Sequence, residues 1–238
     1  MSEIPAPPWR SPRKRAPVRR QLSQDLIVET GLRLLDAEGL DALSMRRVAQ
    51  ELDTGPASLY AHVAGKDELL ELIYDRVLGE VELPEPDPSR WQEQLREYAL
   101  RVHRALSSHA DVARAALAGI PTGPNAIRLA EFCFGLLIDA GMPPYEASLA
   151  LDRITLYVSG DAYEDSLYYA KMRAAGMTDP GEFFHGFAGK VADYFRSLPP
   201  DRFPHITAHV DALISGDGDA RFQYGLDLLI AGLADRMR

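Results

Sequence analysis

Beyond residue 22, apolar side chains recur with the period of a helix along nearly the whole chain. Leu26, Ile27, Leu34 and Leu35 share one face of a stretch that Ser23 can cap and Gly39 can end, which predicts a helix from 24 to 38. Ser44 can cap a second helix, Met45 to Leu52, and "DTG" then makes a turn. Pro56 suits the first position of a short third helix, where a missing N–H costs nothing, and that helix should end near Val63-Ala64-Gly65. A fourth runs from Lys66 to about Glu80.

"ELPEPDPS", residues 82–89, interrupts this pattern and marks a boundary. Trp91, Leu95, Tyr98, Val102 and Leu106 then form an apolar stripe on a helix over 89–107. Further helices fit 111–118, 124–140, 144–171, 182–197, 206–214 and 219–237. They are separated by "GIPTGPN", "GMPP" and "SLPPDRFP". Strand-like alternation is scarce, so the expected class is all-α. The expected organisation is an arm over 1–22, an N-terminal helical domain over 23–81 and a larger helical domain over 82–238.

Composition sharpens this picture at the front of the chain. Residues 1–22 hold five prolines and six arginines or lysines, a composition that cannot bury a core and should be disordered. The net charge is −9, yet residues 1–66 carry ten Lys/Arg against eight Asp/Glu, while the remainder carries 16 against 27. A mildly basic front on an acidic body suggests that the front alone meets a polyanion. There is no run of 18 apolar residues and no apolar signal-peptide core, so neither a membrane span nor export is expected, and the cytoplasm fits best. The one cysteine, Cys133, excludes an internal disulfide and a cysteine-based zinc cage; its apolar surroundings, "AEFCFGLL", suit a buried structural thiol.

The chemistry concentrates in "LSMRRVAQELDTGPASLYAHVAGKDELLE", residues 43–71. Two helices joined by a tight turn form a helix-turn-helix if the second can enter a DNA major groove. Val48, Ala49, Leu52, Leu59 and Val63 supply the inside; Ala57, Ser58, Tyr60, Ala61 and His62 face outward. Lys66, at a helix start, offers both a cation and backbone N–H groups to a phosphate. Arg46 and Arg47 lie in the first turn of the second helix, where the dipole disfavours a cation, so a DNA backbone or a guanine edge is their candidate partner. The alternative for the same residues is a solvated helical face over an ordinary core.

This segment closely resembles the DNA-binding part of the tetracycline-repressor (TetR) family of bacterial regulators: Leu59-Tyr60, His62-Val63 and Lys66 match its pattern in place, as does "AEGLDALSMRRVA" before them. "RWQEQLREYALRVHRALSSHADVA", "IPT" and "FQYGLDLLIAGLADR" are similar to the ligand-binding domain of tetracycline repressors. The resemblance covers roughly residues 23–238. It implies an all-helical homodimeric repressor that leaves a double-stranded DNA operator when a small-molecule effector binds.

Carried over residue by residue, the resemblance assigns DNA contacts to Ser44, Met45, Arg46, Pro56, Ala57, Ser58, Tyr60, Ala61, His62 and Lys66. Arg46 takes the base-contacting role; Tyr60 and Lys66 grip phosphates. An effector pocket falls on Tyr98, Val102, Ala116, Ile120, Phe132, Leu136, Leu151, Thr155, Leu156, Ser159 and Tyr163. The metal-coordinating histidine of tetracycline binding is replaced by Ala116, and a tetracycline-contacting asparagine by Tyr98. Glu164 alone keeps an acidic pocket position. A magnesium–tetracycline chelate therefore lacks its donors, and no metal or cofactor is expected. The apolar walls suit a hydrophobic effector with one or two polar groups.

The last helix carries Phe222, Leu226, Leu229, Ile230 and Leu233 on one side, with Tyr224 and Leu228 elsewhere, more apolar surface than one protomer readily covers. Gly225 and Gly232 can let a partner helix approach, so 144–165 and 219–237 are the expected dimer helices. Other constellations are weak. Glu182 and His185 of "EFFH" have a di-iron spacing but no second copy, and "SGDGDAR" lacks the length and terminal glutamate of a calcium loop. Two further readings, a helical-bundle enzyme and a protein-binding adaptor, stay open on the residues alone, though no acid–base or nucleophile set supports an enzyme.

Overall fold

The first helix of the computed structural model, α1 (Gln24–Glu38), starts where Ser23 Oγ accepts the Leu26 N–H at 3.2 Å. It stops at Gly39, whose φ of +81° is open to glycine, and whose N–H reaches Leu35 O at 2.8 Å. The structure describes residues 22–109, 111–116, 122–216 and 218–237, so the basic arm expected over 1–22 lies almost wholly outside the described residues. Helix α2 (Met45–Glu51) is capped by Ser44 Oγ, which accepts the Arg47 N–H at 3.1 Å. Helix α3 (Pro56–Leu59) is a single turn, shorter than its pattern suggests. The chain tightens after Leu59, with His62 N–H on Leu59 O at 2.9 Å, so Tyr60–His62 form a turn although Val63 N–H still reaches Leu59 O at 3.0 Å. Helix α4 (Lys66–Leu78) completes the front of the molecule. Ile27, Leu34, Leu35, Val48, Leu59, Val63, Leu69 and Ile73 meet in its core.

A 3₁₀ turn at Pro88–Arg90 leads into α5 (Trp91–Ser107). Then come α6 (Val112–Ala116), α7 (Pro124–Asp139), α8 (Pro144–Ala174), α9 (Pro180–Arg196), α10 (Pro204–Ala208), α11 (Val210–Ile214) and α12 (Gly218–Arg236). The helix expected over 206–214 is two short ones, broken at His209 (φ −126°, ψ 28°), and α9 starts two residues earlier than expected because Asp179 caps it. Among the described residues there is no strand, and no helix is long and apolar enough to cross a membrane. α5 lies along α8, and α12 packs on both; α4 packs on α1 and α5 and also on α6 and α7, which makes it the shared element between front and body.

Candidate DNA-binding and effector sites

Of the residues expected to meet DNA, Ser44, Arg46, Pro56, Ala57, Ser58, Tyr60 and Ala61 are exposed and His62 is half-buried. The Gln24 side chain donates to His62 O at 3.1 Å, tying the start of α1 to the end of the outward-facing turn. Met45 is a correction: it is buried in the core, as its place with Val48 and Ala49 on the inner face of α2 requires. Lys66 is half-buried, and its ammonium donates to Leu40 O at 3.2 Å. An ammonium has three donors, so that bond holds the chain bend while leaving N–H groups for a phosphate.

The two adjacent arginines separate. Arg47 is clamped by Glu38 (Nη2–Oε1 2.6 Å, Nε–Oε2 3.0 Å) and by Glu51 (2.9 Å), and Glu51 also receives Arg33 at 2.7 Å. The Arg47 hydrogen bond holds Glu38 below its ordinary pKa, and bonds from Arg33 and Arg47 do the same for Glu51. Arg47 is therefore a strut between α1 and α2, correcting the expectation that both arginines seek DNA. Arg46 stands exposed, and among the described residues no carboxylate pairs with it.

In the body, Tyr98, Val102, Phe132, Leu136 and Ser159 are buried, and Leu151, Thr155 and Tyr163 are half-buried. Tyr98 and Phe132 stack with centroids 6.1 Å apart, and burial drives the Tyr98 phenol well above its ordinary pKa. Leu156 is a correction: it is 48% exposed, on the stripe with Tyr145 and Leu149 that turns away from this core. The Ala116 side chain and Ile120 lie outside the described residues. Glu164 is exposed on α8.

Periodicity did not disclose two side chains that tie this core to α4. The Tyr74 hydroxyl faces Ser159 of α8, and burial pushes its phenol up to about 12. Asp75 caps the start of α7, accepting the Ala126 N–H at 2.9 Å and the Asn125 side chain at 3.0 Å. Arg128 of α7 donates to Val81 O at 2.9 Å just beyond α4. A second tie runs from the α5–α6 corner to the front. His109 sits between Asp36 (2.9 Å) and Glu80 (3.2 Å), and Asp111 accepts the Leu40 N–H at 3.0 Å.

On the outer faces of α8 and α12, Tyr145, Leu149, Leu156, Tyr224 and Leu228 are exposed. A groove of about 550 Å³ between the two helices is lined by Leu149, Ala150, Ile154, Leu228, Gly232 and Leu233, among others. Gly232 opens into free space. Gly225, by contrast, faces its own protomer, since a Cβ there would collide with the Tyr157 ring and hydroxyl. Gly225 is thus spoken for within the chain, and Gly232 alone of the pair is free for a partner helix.

Residues 27–73 match the family described as bacterial regulatory proteins, tetR family, and residues 83–237 match the tetracyclin repressor-like, C-terminal domain. An HTH-type transcriptional regulator of Saccharopolyspora erythraea is 31% identical, covering 97% of this chain and 92% of its own length. A solved structure of the TetR family protein ActR of Streptomyces coelicolor with actinorhodin is 44% identical, covers 90% of this chain and 95% of that one, and has a TM-score of 0.78. ActR with (S)-DNPA is 42% identical, with coverage of 92% and 100% and a TM-score of 0.79.

Proposed function

Because this chain belongs to the tetracycline-repressor family of bacterial regulators, we propose that it represses transcription from a palindromic operator by setting Arg46 and the Pro56–His62 segment of each protomer into a major groove. The observation that carries the reading is the exposed Arg46, unpaired among the described residues, beside the exposed Pro56, Ala57, Ser58, Tyr60 and Ala61 on a packed helix-turn-helix. Arg46 reads a base edge; Tyr60 and Lys66 hold phosphates. Residues 23–81 act as the DNA-binding unit and 82–238 as the effector and dimerisation unit, working in the cytoplasm where the operator is.

The dimer forms through the exposed faces of α8 and α12, with the groove at Gly232 receiving the partner. The effector enters among Tyr98, Val102, Phe132, Leu136, Leu151, Thr155, Ser159 and Tyr163. These walls suit a hydrophobic, aromatic molecule with few polar groups; the similar ActR also binds a small molecule, actinorhodin. It must favour the DNA-free conformation, since equal affinity for both states shifts nothing. The test is a gel-shift on DNA upstream of the chain's own gene, with and without candidate aromatic metabolites. Retention that such a compound abolishes is expected; no retention on any neighbouring palindrome would overturn the reading.

A further inference from the structure

A cluster between α5 and α8 has no part in this reading. His103 of α5 faces Asp161 and Asp165 of α8, with Nε2 2.8 Å from Asp161 Oδ2 and 3.8 Å from Asp165 Oδ2. One donor atom from each of the three lies within 4.8 Å of the others, and among the described residues no other trio of His, Cys, Asp or Glu does this. The aspartates are one helical turn apart, so they project from the same face, and the imidazole meets them from the opposing helix. Phe222 stacks on the His103 ring at 4.0 Å and Tyr157 stacks on Phe222 at 5.2 Å, which fixes the ring plane.

The charge around this cluster is unbalanced. Asp219 adds its field to Asp165, and among the described residues no lysine or arginine lies within ion-pair distance of Asp161 or Asp165. Burial, then the neighbouring Asp161, raises the Asp165 carboxyl above its ordinary pKa. The three side chains are 11%, 23% and 31% exposed, shielded yet reachable. Ser107, whose Oγ is 3.5 Å from Asp165, also lines a neighbouring cleft of about 310 Å³ with Asp36, His109, Ala162, Ser166 and Arg173.

We propose that His103, Asp161 and Asp165 bind a first-row divalent cation, Zn²⁺ or Mn²⁺, with water in the remaining positions. One imidazole and two carboxylates suit these ions, whereas Mg²⁺ and Ca²⁺ prefer oxygen alone and Cu(I) prefers thiolates. Metal–ligand distances of about 2.0–2.2 Å are within reach of this spacing after small side-chain shifts. The ion would pin α5 to α8 one residue from Val102 and two residues from both Ser159 and Tyr163, stiffening the wall of the effector pocket without touching it.

The experiment uses the full chain, stripped with a chelator and titrated with ZnCl₂ and with MnCl₂ in calorimetry and thermal melts, with MgCl₂ as control. One saturable site per chain in the micromolar range or tighter, with a raised melting temperature, is expected for one of the two ions. Asp165→Asn and His103→Gln should each weaken it by about tenfold or more, while Asp219→Asn, outside the donor set, should leave it largely intact. Mn²⁺ binding is read independently by loss of the free-ion paramagnetic resonance signal. If His103→Gln unfolds by circular dichroism, Asp161→Asn and Asp165→Asn carry the test. Absence of saturable binding, or binding that the aspartate variants leave unchanged, overturns the site and leaves His103–Asp161 as a plain ion pair.

Discussion

Substituting Arg46 and Arg47 one at a time separates the roles of two adjacent, identical side chains. Arg46→Ala should relax operator preference by roughly 1–3 kcal/mol, the worth of a bidentate base contact, with little change in melting temperature. Arg47→Ala should do the reverse, since it removes the strut to Glu38 and Glu51. A competition gel-shift beside a thermal melt distinguishes them, and equal effects in both assays would refute the division. His109 carries a pH dependence. Both ring nitrogens face carboxylates, and a neutral imidazole has only one N–H, so both bonds form only in the imidazolium. Burial lowers its proton affinity, but the bonds to Asp36 and Glu80 outweigh that and raise its pKa above 6.5. The folded ring therefore holds its proton more tightly than the unfolded one. The clasp contributes fully below pH 6.5 and is lost as pH rises through the folded value. His109→Gln should flatten the fall in melting temperature between about pH 6 and about pH 8. These residue-scale pairings were hidden from the sequence because they join positions such as 36 and 109, or 103 and 161, that only the packing of helices brings together.

Helices themselves were legible because their signals are local. Ser23 and Ser44 cap where their hydroxyls predict. The errors fall at two helix starts that hold a proline. Pro180 and Pro204 sit inside the first turn, as Pro56, Pro124 and Pro144 do, and the helices they open begin two residues earlier than the apolar stripe suggests. Side-chain direction was legible for α8 only in part, since Leu156 shares the outward stripe of Tyr145 and Leu149 rather than that of Ser159. The α8–α12 contact yields an element-scale prediction. Tyr157 donates to Phe222 O at 2.8 Å across the space that Gly225 leaves open. Gly225→Ala should cost about 1–3 kcal/mol in denaturant unfolding through overpacking. Combined with Tyr157→Phe, which withdraws the hydroxyl, the loss should be smaller than the sum of the two single changes. Strict additivity would mean that the two side chains do not compete for this space.

At the scale of the whole molecule, one continuous core runs from the front into the body through α4, and Tyr74 and Asp75 are where that helix is gripped. Tyr74→Phe removes the hydroxyl that faces Ser159 while keeping the ring. It should preserve operator affinity without effector yet reduce the coupling between effector and operator by about 0.5–2 kcal/mol. Effector titrations of operator release measure this, and an unchanged release curve would remove Tyr74 from the coupling. The division of the molecule could be read from "ELPEPDPS", but not this continuity, because an apolar stripe does not say which neighbour it will meet. The buried thiol of α7 offers a stopwatch for the same body. Cys133 is the chain's one cysteine, has no exposure, and is pushed up to about 12 by burial. A thiol reagent can reach it only in the brief intervals when α7 lifts from Tyr98 and its neighbours, so the labelling rate counts those intervals. Slow modification of the free protein, slower still with an effector bound, is the expected record; rapid labelling at neutral pH would mean that this core breathes far more often than its packing implies.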